Sequence, residues 1–284
     1  MLSHAVAALR CPVCKGKFQP GDTLQRALRC ESGHAFDAAK QGYFNMLTGK
    51  GTEFEADSAE MVAARQRFLE AGHYAALADA VAGYASEGLR DRNPLVLDAG
   101  TGTGYYLHEV LATAPAAAIG LDISKYALRR AARLNPQAAN LVWDIWRPLP
   151  IADNAVDVVM VVFAPRNPAE FARVLRPGGR LIIVTPRPGH LAEIAHRTRM
   201  LGIEEGKADR LADSLSGLFR GEDRLSLDIP LQLTGVEMAD LAYMGPAGHH
   251  LDPDERSAIA SVEGMVSATA KFEVSLFSVG DSPA

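Results

Sequence analysis

Cysteine is scarce: the 284-residue chain has three, all within its first thirty positions. An odd, clustered set does not build the disulfide framework of a secreted protein. Long hydrophobic runs are missing too. No stretch reaches the roughly 18 apolar residues of a membrane-crossing helix. The leading segment MLSHAVAALRCPVC has neither a basic start nor a small-residue cleavage site. These absences predict a cytoplasmic protein with no membrane partner. There is no excess of positive charge; a net charge of −5 speaks against a protein that coats nucleic acid. Internal repeats and low-complexity tracts are also absent. What remains, 48% hydrophobic and 22% charged, is the composition of an ordinary globular protein. The length allows one large domain with an appendage, or two domains.

The charge is unevenly spread. Residues 1–50 hold seven Lys/Arg and three Asp/Glu, a net of +4, which leaves −9 for the rest. A small basic module on an acidic body is compatible with RNA contact by the module. Ordinary scatter would give the same numbers.

The three cysteines explain themselves by spacing. Cys11-x2-Cys14 can turn two sulfurs toward one point, and Cys30-x3-His34 supplies a second such turn. Two knuckles of this kind offer the four S/N ligands of a tetrahedral zinc ion. Gly16 and Gly33 stand beside the ligands, where the backbone must turn sharply. Fifty residues with few large apolar side chains need a metal to hold them folded. Four protein ligands leave no open position, so the ion is structural. A redox CxxC would need no second pair.

A connecting segment follows, with Gly49 and Gly51 marking a flexible stretch. Asp57 or Ser58 can cap a helix from Ala59, with Met61, Ala64, Phe68 and Leu69 at helical spacing. That helix ends near Gly72, and a second runs from about Ala75 to Leu89.

The line PLVLDAGTGTGYYL carries the most chemistry. Leu95 to Leu97 read as a short strand ended by Asp98, and Gly100-x-Gly102-x-Gly104 then opens a helix at Tyr105. Glycines let a backbone pass close to a bound cofactor. A dinucleotide site favours GxGxxG, whereas here the third glycine arrives one residue early and an acid precedes the first. This form resembles the S-adenosylmethionine (SAM) loop of Rossmann-like methyltransferases. A second strand, AIGLD, ends in Asp122, placed to accept hydrogen bonds from ribose hydroxyls. Ser124 caps the helix that follows. A third strand, about Asn140 to Trp143, ends in Asp144, placed for the adenine amine. Residues 155–165 form a continuous apolar run, as in a strand buried on both faces. EFARVLRPGGRLIIVTP reads as helix, Pro-Gly-Gly turn and strand. Strands alternating with helices predict a mostly parallel α/β sheet, and LRPGGRLIIV again resembles class I SAM-dependent methyltransferases.

Beyond residue 190 the pattern weakens. Residues 191–214 read as helical and polar. RLSLDIPLQLTG and KFEVSLFSV read as closing antiparallel strands, with a helix starting at Asp252-Pro253-Asp254 between them. AYMGPAGHHL reads as a loop, and the last few residues, GDSPA, as disordered.

A zinc knuckle pair ahead of a SAM domain, with GHAFDAAKQGYFNML, DSAEMVAARQRFLEAGHY, DAGTGTGYYL and GLDISKYALRRAA, resembles the bacterial 23S rRNA guanine-N1 methyltransferases. VFAPRNPAEFARVLRPGG looks closest to the branch associated with tylosin-type macrolide resistance. The resemblance runs from about Cys11 to His190 and more loosely to the end. It implies a guanine in a 23S rRNA hairpin loop as substrate, SAM as methyl donor, and a structural zinc ion on Cys11, Cys14, Cys30 and His34. It also implies cofactor contacts at Tyr74, Gly104, Tyr105 and His190, and a homodimer whose zinc modules flank an RNA cleft. The expected organisation is a zinc-binding RNA-recognition module (1–50), a helical linker folded onto the cofactor site (51–90) and a Rossmann-like class I SAM-dependent methyltransferase domain (91–284).

The cofactor set expected from both lines is Tyr74, Asp98, Gly100, Gly102, Gly104, Tyr105, Asp122, Asp144 and His190. Asp144 and Phe163 are catalytic candidates by location: Asp144 as a proton acceptor, Phe163 as a stacking surface at the carboxyl end of a central strand, where such folds bind ligands. The alternatives are a methyltransferase acting on a quinone or natural product, and a non-catalytic binding module with a vestigial SAM fold. The intact acid and glycine loop speak against the latter.

Overall fold

The protein is described from a computed structural model, covering residues 1–19, 26–49, 51–90, 92–198 and 213–280. The chain begins with a helix the sequence pattern did not announce, α1 (Leu2–Ala8), whose Ala5, Val6 and Ala8 are buried. Two short antiparallel strands, β1 (Ala27–Arg29) and β2 (Ala35–Asp37), form a ribbon whose turn carries the second knuckle, Cys30 to His34. Next comes β3 (Phe44–Asn45), followed by α2 (Ala59–Glu70) and α3 (Ala75–Gly88). The Ser58 hydroxyl accepts from the Met61 N–H at 3.2 Å and starts α2.

The sheet then builds by alternation: β4 (Leu95–Ala99), α4 (Tyr105–Thr113), β5 (Ala117–Asp122), α5 (Lys125–Leu134), β6 (Ala139–Val142), β7 (Val156–Val162), α6 (Pro168–Val174) and β8 (Leu175–Pro186). All seven residues of β7, VDVVMVV, are buried, as expected of a β-branched run covered on both faces. After a short helix α7 (Ala195–Thr198), the long strand β9 (Phe219–Leu233) and β10 (Val266–Val279) close the sheet. Between them lie α8 (Gly235–Tyr243), a 3-10 turn (Pro246–His250) and α9 (Pro253–Ala260). Thr234 with Glu237, and Asp252 with Glu255, form capping boxes that start α8 and α9.

The strand order is β3-β6-β5-β4-β7-β8-β10-β9. The strands from β3 to β8 run parallel to their neighbours, while β10 is antiparallel to both β8 and β9. This is the doubly wound α/β architecture expected. Pro177-Gly178-Gly179 do not separate a helix from a strand: they bulge within β8, shifting its register against β7.

Alternate residues of each strand serve opposite cores. Val96, Ala118, Val158 and Ile182 face α3, α4 and α8. Leu95, Leu97, Ile119, Leu141 and Ile183 face α1, the ribbon and α6. The second core also contains Leu9, Cys11, Leu28, Cys30, Phe44 and Met46, so the first fifty residues share a core with the sheet. Residues 8–10 pair with 150–152 through Arg10 N–H to Pro150 O and Ala152 N–H to Ala8 O, both 2.8 Å. A boundary at residue 50 therefore divides the sequence without dividing the packing.

Two readings of the tail change. Within 191–214, the structure describes helix at Ala195–Thr198 and again at residues 213–214, and residues 199–212 lie outside the described residues. AYMGPAGHHL is the end of α8 plus the 3-10 turn, because Gly248 packs against the Tyr243 carbonyl with no room for a Cβ. Of GDSPA only Gly280 lies within the described residues. Among the described residues no helix is long and apolar enough to cross a membrane.

Candidate active site and metal centre

The knuckles are built alike. Cys11 N–H bonds Gly16 O, and Lys15, with φ of 60°, bonds back to Cys11 O. Cys30 N–H bonds His34 O, and Gly33, with φ of 84°, bonds back to Cys30 O. Each turn thus needs one left-handed residue, which glycine adopts freely and lysine under strain. The ligand atoms of Cys11, Cys14, Cys30 and His34 all lie within 4.8 Å of one another. Cys30 Sγ is 3.7 Å from Cys14 Sγ and 3.3 Å from His34 Nδ1. These separations suit a tetrahedron whose metal–ligand bonds are about 2.0–2.3 Å. The Cys14 thiol is lowered to about 6, first by the Ser32 side chain and then by the Gly16 N–H, while burial pushes Cys11 up. Three sulfurs and one imidazole are a zinc donor set, and the four residues fit it.

At the carboxyl ends of β4 and β5 the glycine turn closes on itself. Gly100, Gly102 and Gly104 have φ of 88°, 54° and 82°. A Cβ on Gly100 would stand 2.2 Å from Ala164 Cβ, and one on Gly104 would meet Asn135 and α5 at 2.8–3.1 Å. Those two glycines serve packing. Gly102 faces more open space, with Arg65 Nη1 3.7 Å from its Cβ position. Asp122 receives the Gly102 N–H at 2.9 Å and the Ser124 N–H at 2.7 Å, which fixes its carboxylate at the turn. Burial raises its pKa against those N–H groups. Asp98 is 2% exposed and takes the Thr101 hydroxyl at 2.6 Å. Burial, with the neighbouring Asp122 charge, raises Asp98 to about 7.

An aromatic wall faces this turn. Phe272 is its hub, with ring centroids 5.0 Å from Tyr74, 5.2 Å from Phe163 and 4.8 Å from His190. Tyr106 touches Tyr105 at 5.2 Å and Phe163 at 6.4 Å. Among the described residues the buried Tyr106 hydroxyl has no hydrogen-bond partner, an unsatisfied group of the kind a bound ligand completes. Tyr74 is buried against Phe68 and Phe272. Tyr105 opens α4 half-buried. His190 Nδ1 lies 3.0 Å from Lys271 N and 3.1 Å from Lys271 O. Burial lowers His190 to about 4, so its ring is neutral near pH 7. Phe163 is 45% exposed and left-handed at φ of 55°.

Asp144 is not free to face a ligand alone. Its Oδ2 accepts the Thr52 hydroxyl at 2.8 Å, its Oδ1 accepts the Trp146 N–H at 3.0 Å, and Arg147 stands at 3.9 Å. Arg147 also donates to Thr48 O and Gly51 O. Asp144 thereby pins a strap, residues 51–57, beside the site. The strap's other end is held where Ser124 Oγ donates to Asp57 O at 2.9 Å.

The structure thus gathers Tyr74, Tyr105, Phe163 and His190 with the glycine turn. Sequence reasoning missed Phe272, Arg65 and Thr52. Arg65 is locked by Asp57 at 2.6 Å and Met244 O at 2.6 Å. Phe272 and Thr52 sit in no motif, and Arg65, though inside DSAEMVAARQRFLEAGHY, is set in place partly by Met244, far away in sequence.

A doubly wound sheet with a glycine turn, a ribose-placed acid at the next strand and an orphan tyrosine hydroxyl defines a class I SAM-dependent methyltransferase fold, here carrying an amino-terminal zinc ribbon. Comparison with known families agrees: residues 96–179 match the family described as Methyltransferase domain, and residues 9–49 match the one described as RlmA, N-terminal. A Micromonospora griseorubida protein named for 23S rRNA (guanine-N(1)-)-methyltransferase activity is 45% identical over 278 residues, covering 92% of this chain and 94% of its own. The 23S rRNA (guanine(748)-N(1))-methyltransferase of Streptomyces fradiae is 42% identical over 272 residues, covering 95% and 96%. The chain belongs to the family of 23S rRNA (guanine-N1) methyltransferases. Among solved structures, a chain from a Haloferax volcanii complex of the Trm112 methyltransferase activator with a methyltransferase shares the fold. Its TM-score is 0.53 at 19% identity, covering 81% of this chain and all of that one.

Proposed function

We propose that this protein transfers a methyl group from SAM to N1 of a guanine in a hairpin loop of 23S rRNA. The observation that carries this reading is the near full-length likeness to the Streptomyces fradiae enzyme, which spans ribbon and sheet together. An enzyme acting on a quinone or natural product has no evident use for the ribbon. On this reading the protein works in the cytoplasm, methylation alters macrolide sensitivity as in the tylosin-type branch, the ribbon helps recognise RNA, and a homodimer sets two ribbons about one RNA cleft.

Bound SAM supplies an electrophilic methyl group. The chain's own residues do the rest. Asp122 is held by two backbone N–H groups where ribose hydroxyls would donate to it, and Gly102 leaves the turn open for close approach. The Tyr74–Phe272–His190 wall is largely buried and excludes water. Phe163, left-handed and half-exposed, offers its ring to the incoming base. A loop base leaves its stack at low cost. Guanine N1 must lose its proton, to a carboxylate, a histidine or a water, before attack, and holding it in line with the methyl group provides much of the rate. Asp144, its oxygens engaged by Thr52 and Trp146, acts as an anchor in this scheme.

Purified protein given labelled SAM with 23S rRNA, and separately with a quinone and natural-product panel, tests the reading. Label in RNA alone is expected; label in a small molecule with none in RNA would overturn it.

A further inference from the structure

Helix α5 reads KYALRRAARL, with Lys125, Arg129, Arg130 and Arg133 and no acid, in a chain whose net charge is −5. Its apolar residues Leu128, Ala131 and Ala132 are buried against Tyr43 and Val142. The cations lie on the other side. Lys125 and Arg133 are exposed. Among the described residues none of the four forms an ion pair; Arg130 instead donates to Gln66 Oε1. Lys125 and Arg129 flank the Tyr126 ring, 5.7 and 5.2 Å from its centroid. Arg129 Nε is buried with no hydrogen-bond partner among the described residues.

Helix stability does not account for this arrangement. Exposed helix faces are ordinarily laced with opposite charges four residues apart, and a cation in the first turn opposes the helix dipole. Lys125 occupies the first helical position. Positions 125, 129 and 133 line up along one face and rise about 6 Å per step.

At the amino end of this stripe two large aromatic side chains stand in solvent. Phe54 is 52% and Trp146 51% exposed, with ring centroids 6.4 Å apart. Both are positioned by the strap. Thr52 takes the Phe54 N–H on its hydroxyl and donates that hydroxyl to Asp144, which in turn holds the Trp146 N–H. The far end of the strap is fixed to Ser124, the cap of α5. The strap thus ties the aromatic pair to the amino end of the stripe, with exposed Glu53 and Glu55 on either side of Phe54. A row of cations with exposed aromatic rings at its end is the chemistry that holds single-stranded nucleic acid, phosphates on the cations and bases on the rings.

We propose that the exposed face of α5 and the Phe54–Trp146 pair form the surface that grips the rRNA strand next to the methylated guanine. The proposal rests on the rRNA reading above.

The test uses the full chain and a 23S rRNA hairpin transcript. Lys125→Gln, Arg129→Gln and Arg133→Gln combined should make the log–log dependence of RNA affinity on salt shallower by about two, since each single-strand phosphate contact contributes roughly 0.7. KM for RNA should rise at least tenfold. Phe54→Ala with Trp146→Ala should raise KM roughly tenfold, in line with lost base stacking, and leave the salt slope unchanged. SAM affinity, measured on the same samples, should match the parent and also reports correct folding. If the triple variant keeps the parent's slope and KM, the surface is wrong. If the aromatic variant loses SAM affinity instead, the pair covers the cofactor and the proposal is again overturned. A parent protein that neither binds nor methylates RNA overturns the functional reading and this surface together. A parent that does both, beside variants that behave like it, overturns the surface alone.

Discussion

Phe163 carries a bulky side chain in a left-handed backbone, φ 55°, where glycine would sit without strain. Strain of this kind persists where the surroundings hold it, and here the ring is held against Tyr106 and Phe272 with its remaining surface open. Two substitutions separate ring from backbone. Phe163→Ala should lower kcat/KM for RNA at least tenfold with SAM affinity kept. Phe163→Gly should be as inactive yet more stable than Phe163→Ala by about 1 kcal/mol, because the left-handed strain is relieved. Steady-state kinetics and denaturant melts read both, and an Ala variant with parental rates would remove Phe163 from the pocket. Two shifted groups of the site, Asp98 and His190, titrate in opposite senses. Asp98, at about 7 in the fold against an ordinary 3.8, keeps a proton that the unfolded chain releases. Its contribution to stability is full below about pH 4 and is lost as pH rises through 7. His190, at about 4 against 6.5, contributes fully above pH 6.5 and loses that contribution as pH falls toward 4. Asp98→Asn should therefore gain stability over the parent at pH 8 relative to pH 5, on the order of a few kcal/mol. His190→Asn should gain over the parent at pH 5 relative to pH 8. Thermal unfolding of the ligand-free protein across this range checks both signs.

At the scale of elements, the strap beside the site hangs on Asp144. Asp144→Asn keeps an acceptor for Thr52 or Trp146, whereas Asp144→Ala leaves both donors without one. Hydrogen exchange in residues 51–57 should rise little in the first variant and strongly in the second, with about 1–2 kcal/mol lost per stranded donor. The same pair of variants decides between anchor and base. An anchor predicts methyl transfer within tenfold of the parent for Asp144→Asn, whereas a general base predicts a loss of about a hundredfold or more. The elements also show which parts of the molecule were legible beforehand. β4, the glycine turn, β5 and β7 announced themselves because each is a local pattern: an apolar run, a turn needing glycine, an acid at a strand end. Both knuckles did so for the same reason. Phe272 did not. It sits on β10, and its meeting with Tyr74, Phe163 and His190 depends on β10 inserting antiparallel between β8 and β9. The Thr52–Asp144 and Arg65–Met244 bonds join residues 92 and 179 positions apart, and no local spacing encodes them. Asp144 illustrates the consequence: its place at a strand end suggested a ligand contact, and no local spacing announced its Thr52 partner.

At the scale of the whole molecule, ribbon and sheet are packed as one body. α1 lies under the sheet, Phe44–Asn45 extends it as the edge strand beside β6, and Cys11 and Cys30 lie in the core that also holds Leu97 and Ile119. The basic N-terminal fifty residues looked separable in sequence because composition changes there, but composition does not reveal where side chains are buried. Two consequences follow. Deleting residues 1–50 would strip one face of the sheet, so loss of activity in such a truncation reports unfolding as readily as lost recognition. Stripping zinc with a chelator should lower the melting temperature of the entire chain in one transition, and Cys30→Ser should do the same. A second, unshifted transition belonging to the methyltransferase sheet would show that the two parts fold independently. The account as a whole says that this single body delivers a methyl group to N1 of an unstacked guanine. Nucleoside analysis of a 23S rRNA hairpin transcript after incubation with the zinc-loaded protein and labelled SAM tests that most directly. The account predicts label in 1-methylguanosine from a loop position, abolished when that guanine is replaced by adenine. Label in any other nucleoside, or none in a transcript that the protein binds, would contradict it.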